Sequence, residues 1–214
     1  VKRIRELCTK NNILMIADEV ATGFGRTGRM FACEHEHVSP DILCMARGIT
    51  GGYLPLAATL TTDEIYRSFL GEYEEFRTFF HGHTYTGNPL ACAASIASID
   101  LFKKEKTLTR LQPKIAYLKK ELAGFSVLTH IGNIRQKGFM VGIELVKDRA
   151  TKMPYPPVDK IGARIVLECR KRGLIIRPLG DVIVLMPPLS ISLQELKKMA
   201  QIVFTSIKLV TEPS

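Results

Sequence analysis

The chain has 214 residues, 46% of them hydrophobic and 24% charged, with a formal net charge of +9 at pH 7. That length can bury a sizeable core in one large or two small domains, and no apolar run approaches the roughly 20 residues that a membrane helix needs. The N-terminal Val1-Lys2-Arg3-Ile4-Arg5-Glu6-Leu7 is too short and too charged for a signal sequence, and five scattered cysteines without a C-x-x-C pair read as reduced thiols of a cytoplasmic protein.

Residues 1–12 carry Val1, Ile4, Leu7 and Cys8 at helical spacing and stop at Asn11-Asn12. The apolar run 13–17 predicts a buried strand. Helix followed by strand predicts a parallel sheet with helices packed on it. Beyond a glycine-rich loop, residues 41–46 and 56–60 predict further short strands. Thr62-Asp63-Glu64-Ile65 opens a helix, with a capping hydroxyl followed by acids in the first turn. Asn88 begins a helix rich in Ala and Ser, with Pro89 in its first turn, that runs to about residue 104. Its small side chains permit close packing against the sheet or a partner subunit.

A charged helix from about residue 108 to 123 leads to a change of character. Residues 126–131 and 139–146 predict strands. Pro156-Pro157 precedes a helix carrying Val158, Ile161, Ile165 and Cys169. Residues 174–177 and 182–186 predict two short strands, and Leu193, Leu196, Ala200, Val203 and Ile207 mark a last helix. A boundary near residue 107 divides part of a larger sheet domain, 1–107, from a small α+β domain, 108–214. A sheet that begins with one helix and one central strand has exposed edges, so the sequence reads as the C-terminal half of a longer protein. Basic residues alternate with acids, as in Lys103-Lys104-Glu105-Lys106 and Lys119-Lys120-Glu121, a solvated-face pattern and not a nucleic-acid surface.

The chemistry concentrates between Ile13-Leu14-Met15-Ile16-Ala17-Asp18-Glu19-Val20 and Cys44-Met45-Ala46-Arg47-Gly48-Ile49-Thr50-Gly51-Gly52. A strand that delivers a carboxylate at its C-terminal edge, followed by a basic residue in a glycine-rich turn, is the arrangement that a pyridoxal phosphate site requires. The carboxylate keeps the pyridine nitrogen protonated, and a lysine amine forms the imine. Further motifs are Asp18-Glu19-Val20-Ala21-Thr22-Gly23-Phe24-Gly25-Arg26-Thr27-Gly28, Gly51-Gly52-Tyr53-Leu54-Pro55-Leu56, His81-Gly82-His83-Thr84-Tyr85-Thr86-Gly87-Asn88-Pro89 and Arg177-Pro178-Leu179-Gly180. Over nearly the whole chain these stretches resemble the class III, pyridoxal phosphate-dependent aminotransferases. Their details resemble the branch that aminates 8-amino-7-oxononanoate to 7,8-diaminononanoate in biotin synthesis.

The resemblance implies an α/β architecture, the C-terminal part of a fold type I transferase: part of the large parallel-sheet domain plus a small C-terminal domain. It implies pyridoxal 5′-phosphate as cofactor, a small-molecule amino donor (S-adenosylmethionine or lysine), a keto acceptor and a homodimer. By the same resemblance Asp18 meets the pyridine nitrogen, Val20 packs on one ring face, Thr84 reaches the cofactor phosphate of the neighbouring subunit, and Arg177 holds the substrate carboxylate. Without the resemblance, Asp18 caps a turn, Val20 is core packing, Thr84 is a turn residue and Arg177 a surface charge. Glu19 reads as an ordinary exposed strand-end carboxylate. His81 and His83 lack accompanying carboxylates or cysteines, so no metal site is expected. Val184 stands where many members of the group carry tyrosine, which leaves other ω-amino acid or diamine substrates open.

Arg47 is the departure that matters. The family has lysine there, as imine former and proton-transfer base. A guanidinium cannot be deprotonated in a protein and gives no comparable covalent link. The expectation is a chain impaired in catalysis and in cofactor binding, or a non-catalytic homologue or partner subunit.

Overall fold

The computed structural model describes residues 1–212. Its backbone divides into two compact units, Val1–Leu108 and Thr109–Ser214.

In the first unit, α1 (Lys2–Lys10) ends where Asn11 donates from its side-chain amide to the Leu7 carbonyl at 2.8 Å and Asn12 turns the chain at φ 52°. Asparagine tolerates this left-handed conformation because its short polar side chain bonds locally. Three strands follow: β1 (Ile16–Asp18), β2 (Ile42–Met45) and β3 (Ala58–Thr61). Asp41 locks the first two together at their start. Its carboxylate accepts the Met15 N–H at 2.6 Å and meets the Arg5 guanidinium at 2.6 Å, while its own N–H donates to the Met15 carbonyl at 2.9 Å. Strands β1 and β2 run parallel, with Asp18 opposite Cys44.

Two expectations change here. Strand β3 joins antiparallel to β2, so the sheet is mixed. Residues 13–17 were expected to form a buried strand, yet Ile13, Leu14 and Ile16 are more than half exposed and only Met15 is buried. Ile13 and Leu14 precede β1, and β1 itself is an edge strand among the described residues, with β2 as its one neighbour. Helix α2 (Asp63–Arg67) is capped by Thr62, and α3 (Pro89–Lys104) by Asn88, whose Oδ1 accepts the N–H groups of Leu90 and Ala91 at 3.0 and 3.1 Å.

The second unit holds α4 (Thr107–Ala123), β4 (Ile131–Lys137), β5 (Met140–Leu145), α5 (Ile161–Lys171), β6 (Arg177–Leu179), β7 (Val182–Leu185) and α6 (Leu193–Thr211). The strands form an antiparallel sheet in the order β4-β5-β7-β6. Alternate residues Val141, Ile143 and Leu145, with Ile183 and Leu185, face one continuous core. Leu118 and Leu122 of α4, Ile165 and Cys169 of α5, and Leu196 and Val203 of α6 close it from the helix side.

Of the strand expected at 126–131, only Ile131 belongs to one: a tight 3-10 turn, Gly124–Val127, drops Phe125 and Leu128 into the core, and β4 begins at Ile131. Val158 lies outside α5 and is exposed, because a second short 3-10 turn, Pro157–Asp159, precedes that helix. Arg177 opens strand β6 instead of ending one. Pro178 can sit inside it because β6 is the sheet edge and needs no amide donor on its outer side. No helix among the described residues is long and apolar enough to cross a membrane.

The Asp41 carboxyl is held below its ordinary ionisation range by the Met15 N–H and by Arg5. A depressed folded-state value means that this contribution is complete above the ordinary carboxylate range and is lost as pH falls through the folded value. Asp41→Asn should therefore lower the thermal midpoint of the first unit at neutral pH and flatten its acid limb, measured by far-ultraviolet melting between neutral and acid pH. An unchanged acid limb would contradict this account.

Candidate active site

The parallel pair β1–β2 presents its C-terminal ends side by side, the place where open α/β sheets bind ligands. The last paired residues are Asp18 and Cys44, and the N–H of Glu19 extends the ladder to the Cys44 carbonyl at 2.9 Å. Arg47 stands three residues beyond Cys44. The two positions singled out in the sequence are thus delivered by neighbouring strand ends.

Asp18 is exposed. One carboxylate oxygen accepts the Val20 N–H at 3.0 Å, and no hydrogen bond among the described residues engages the other. Val20 is half-buried immediately after it. Arg47 opens a 3-10 turn, Arg47–Thr50, with its own φ at 28°. That is a conformation that residues with a Cβ rarely adopt, and such strain gathers at functional sites. Its side chain is exposed and has no hydrogen bond or ion pair among the described residues. The following Gly48 is required by packing: a Cβ there would meet Cβ of Phe24 at 2.6 Å.

Phe24 belongs to the glycine-rich loop, and with Met45 and Ile49 it forms a small buried cluster. Its ring packs edge-on against Phe31 at 5.6 Å and Phe102 of α3 at 6.5 Å. Gly25 and Gly28, at φ 86° and 93°, supply the bends that bring the loop back. His35 secures its far side, with Nε2 at 3.0 Å from the Thr27 carbonyl.

Glu19 overturns its expected exposure. It is only 3% exposed, and its carboxylate accepts the Cys33 N–H at 2.8 Å and the Thr22 hydroxyl. Desolvation pushes its ionisation upward, but the Thr22 hydroxyl, the Ala32 and Cys33 amides and the Cys33 thiol outweigh burial, and the carboxyl ends below its ordinary range. Burial first, and then the adjacent Glu19, push the Cys33 thiol up to about 11. Strand alternation carried the missed signal: with Asp18 facing solvent, the next residue faces inward.

The other two sequence candidates are Thr84 and Arg177. Thr84 is exposed in a turn just before α3, and no hydrogen bond joins it to Asp18 or Arg47 among the described residues. The turn itself is closed by Thr86, which accepts the His83 N–H at 3.0 Å. Arg177 is exposed in the second unit and pairs in register with Val184, so the two side chains share one face of that sheet. No cluster of three metal-ligating side chains occurs among the described residues.

Residues 1–207 match the family profile described as aminotransferase class-III. The chain belongs to the class III aminotransferases. The family acts on small molecules with pyridoxal phosphate as cofactor. Over 212 residues the chain is 58% identical to the adenosylmethionine-8-amino-7-oxononanoate aminotransferase of Nitratidesulfovibrio vulgaris, spanning 99% of this chain and 39% of that protein. It superposes on the crystal structure of the Methanocaldococcus jannaschii enzyme of the same name with a TM-score of 0.94 at 50% identity, covering 97% of this chain and 48% of that one. A thermostable (S)-enantioselective omega-transaminase from Thermomicrobium roseum gives 0.93 at 37% identity, with 99% and 46% covered. These likenesses establish the fold as part of a fold type I transferase. The chain spans half or less of the length of these relatives.

Gly48→Ala should destabilise the first unit by about 1–3 kcal/mol, because the added methyl overpacks Phe24. Chemical denaturation followed by far-ultraviolet dichroism checks this, and an unchanged midpoint would refute the packing described.

Proposed function

We propose that this chain forms the ring-binding end of a class III aminotransferase site of the kind that converts 8-amino-7-oxononanoate to 7,8-diaminononanoate in biotin synthesis. We further propose that with Arg47 it holds pyridoxal phosphate without a covalent bond and does not transfer amino groups on its own. The observation that carries this reading is the pairing of neighbouring strand ends, one delivering Asp18 and the other a guanidinium where the family has an amine.

The donor set supports non-covalent holding. Asp18 keeps an unengaged carboxylate oxygen that suits a protonated pyridine nitrogen, and Val20 offers an apolar surface beside it. The exposed Thr84 hydroxyl suits a phosphate oxygen of a neighbouring subunit in a homodimer. Arg177 presents a planar fork to the carboxylate of the keto acceptor or amino donor. The bound cofactor supplies an electron sink for cleavage at the amino carbon. Position 47 does not fit the covalent attachment: a guanidinium neither gives up a proton nor forms the link that a neutral primary amine forms. Amino transfer therefore has no route through this residue. The five free thiols fit a cytoplasmic setting.

A second reading within the family has its own support. Val184 faces the same side as Arg177 where many members carry tyrosine, and the likeness to an omega-transaminase is close in structure. That reading assigns an ω-amino acid or diamine as substrate and leaves the consequence of Arg47 unchanged. A non-catalytic partner subunit is the corresponding biological role.

Pyridoxal phosphate should bind to the purified chain with the spectrum of the free aldehyde and leave on dialysis. Arg47→Lys should acquire the absorbance of a lysine-linked cofactor and resist dialysis after borohydride. Amino transfer by the unsubstituted chain, or a reducible link in its own site, would refute the proposal.

A further inference from the structure

Glu19 sits at the centre of the first unit's connections, and nothing so far gives it a part in the site. Three independent contacts radiate from it. Its backbone N–H reaches the Cys44 carbonyl at 2.9 Å, joining it to the strand that leads to Arg47. Its carbonyl accepts the Gly23 N–H at 2.9 Å, at a place so close that a Cβ on Gly23 would lie 2.8 Å from that oxygen. Its buried carboxylate accepts the Thr22 hydroxyl and the Cys33 amide, the two ends of the loop that carries Phe24. Phe24 in turn seats Gly48, the neighbour of Arg47. A charged acceptor buried among donors is stiffer than a neutral one, since each charge-assisted hydrogen bond is about twice as strong as a neutral bond.

We propose that Glu19 is the positioning residue of this site. Its buried carboxylate clamps residues 22–33 onto the strand ends and, through Phe24 against Gly48, fixes the turn that presents residue 47 beside Asp18. The residue therefore acts through the loop and touches neither cofactor nor substrate. The inference rests on the reading of Asp18 and position 47 as the ring-binding end, while the clamp itself is independent of any ligand.

Glu19→Gln in the full chain tests it, because glutamine keeps the length and removes the charge. Amide hydrogen exchange should accelerate about tenfold in residues 22–28 and in residues 47–51 together, the effect of losing one charged hydrogen bond on local opening. Exchange in β5, in the other unit, serves as the internal reference and should not change. The pH dependence of Cys33 alkylation should move to lower pH, because Glu19 is, after burial, a cause of the thiol's rise to about 11. Pyridoxal phosphate, used as the probe, should bind several-fold more weakly to the variant.

Faster exchange confined to residues 22–28, with 47–51 unaffected, would overturn the proposal. So would equal probe affinity in the two proteins. Should the unsubstituted chain show no saturable binding of the probe, the ring-binding reading fails, and the exchange comparison still decides the clamp. If Glu19→Gln does not fold, Thr22→Val removes one donor to the same carboxylate and should accelerate exchange in both segments by a smaller factor. Its failure to do so in residues 47–51 would overturn the proposal equally.

Discussion

The parallel register of β1 with β2 is the constraint on which the rest of the first unit depends. Each strand contributes only a few paired residues, yet together they bring Asp18 opposite Cys44 and leave the two chains to diverge from one edge. Asp41 fixes the entry of this pair, and the Glu19 amide extends it by one bond at the exit. A slip of one residue would turn Asp18 inward and Glu19 outward, because side chains alternate across a strand. Such a slip would bury one carboxylate without its donors and expose the other away from the loop that needs it. The penalty for an unpaired buried charge is what makes the register specific.

The fold that carries this geometry is shared with an aminotransferase of 50% identity at a TM-score of 0.94, and the chemistry we propose depends on the functional group at position 47. An amine can shed its proton in a desolvated site and attack a carbonyl carbon; a guanidinium keeps its proton and spreads its charge over a plane. Asp18 keeps one carboxylate oxygen free of hydrogen bonds among the described residues. The backbone at residue 47 has a positive φ of 28°, and Gly48 packs on Phe24. We propose that the scaffold of the site persists around a guanidinium that cannot perform the covalent chemistry of an amine.

Much of the fold could be read from local signals. Helix α3 announces itself through Asn88 and Pro89, and α6 through the reciprocal capping of Ser192 and Glu195. Strand β4 lies at Ile131–Lys137, five residues later than the strand expected from residue 126. Gly132 is there to admit Val146, whose Cγ1 would stand 2.5 Å from an added Cβ, a tertiary requirement with no local mark. The antiparallel entry of β3 and the exposure of β1 are likewise set by neighbours across the sheet. At the site, the residue types at 18 and 47 were legible from spacing and motif. Alternation with Asp18 marks Glu19 as inward-facing, but its donors Thr22 and Cys33 lie in a loop whose path no periodicity describes.

A crystal structure of the chain grown with pyridoxal phosphate is the most direct test of the central claim. The account predicts the pyridine nitrogen against the Asp18 carboxylate, with a clear gap between the cofactor and the Arg47 guanidinium. Continuous density joining the cofactor to the chain at that site, or a ring bound away from Asp18, would contradict it.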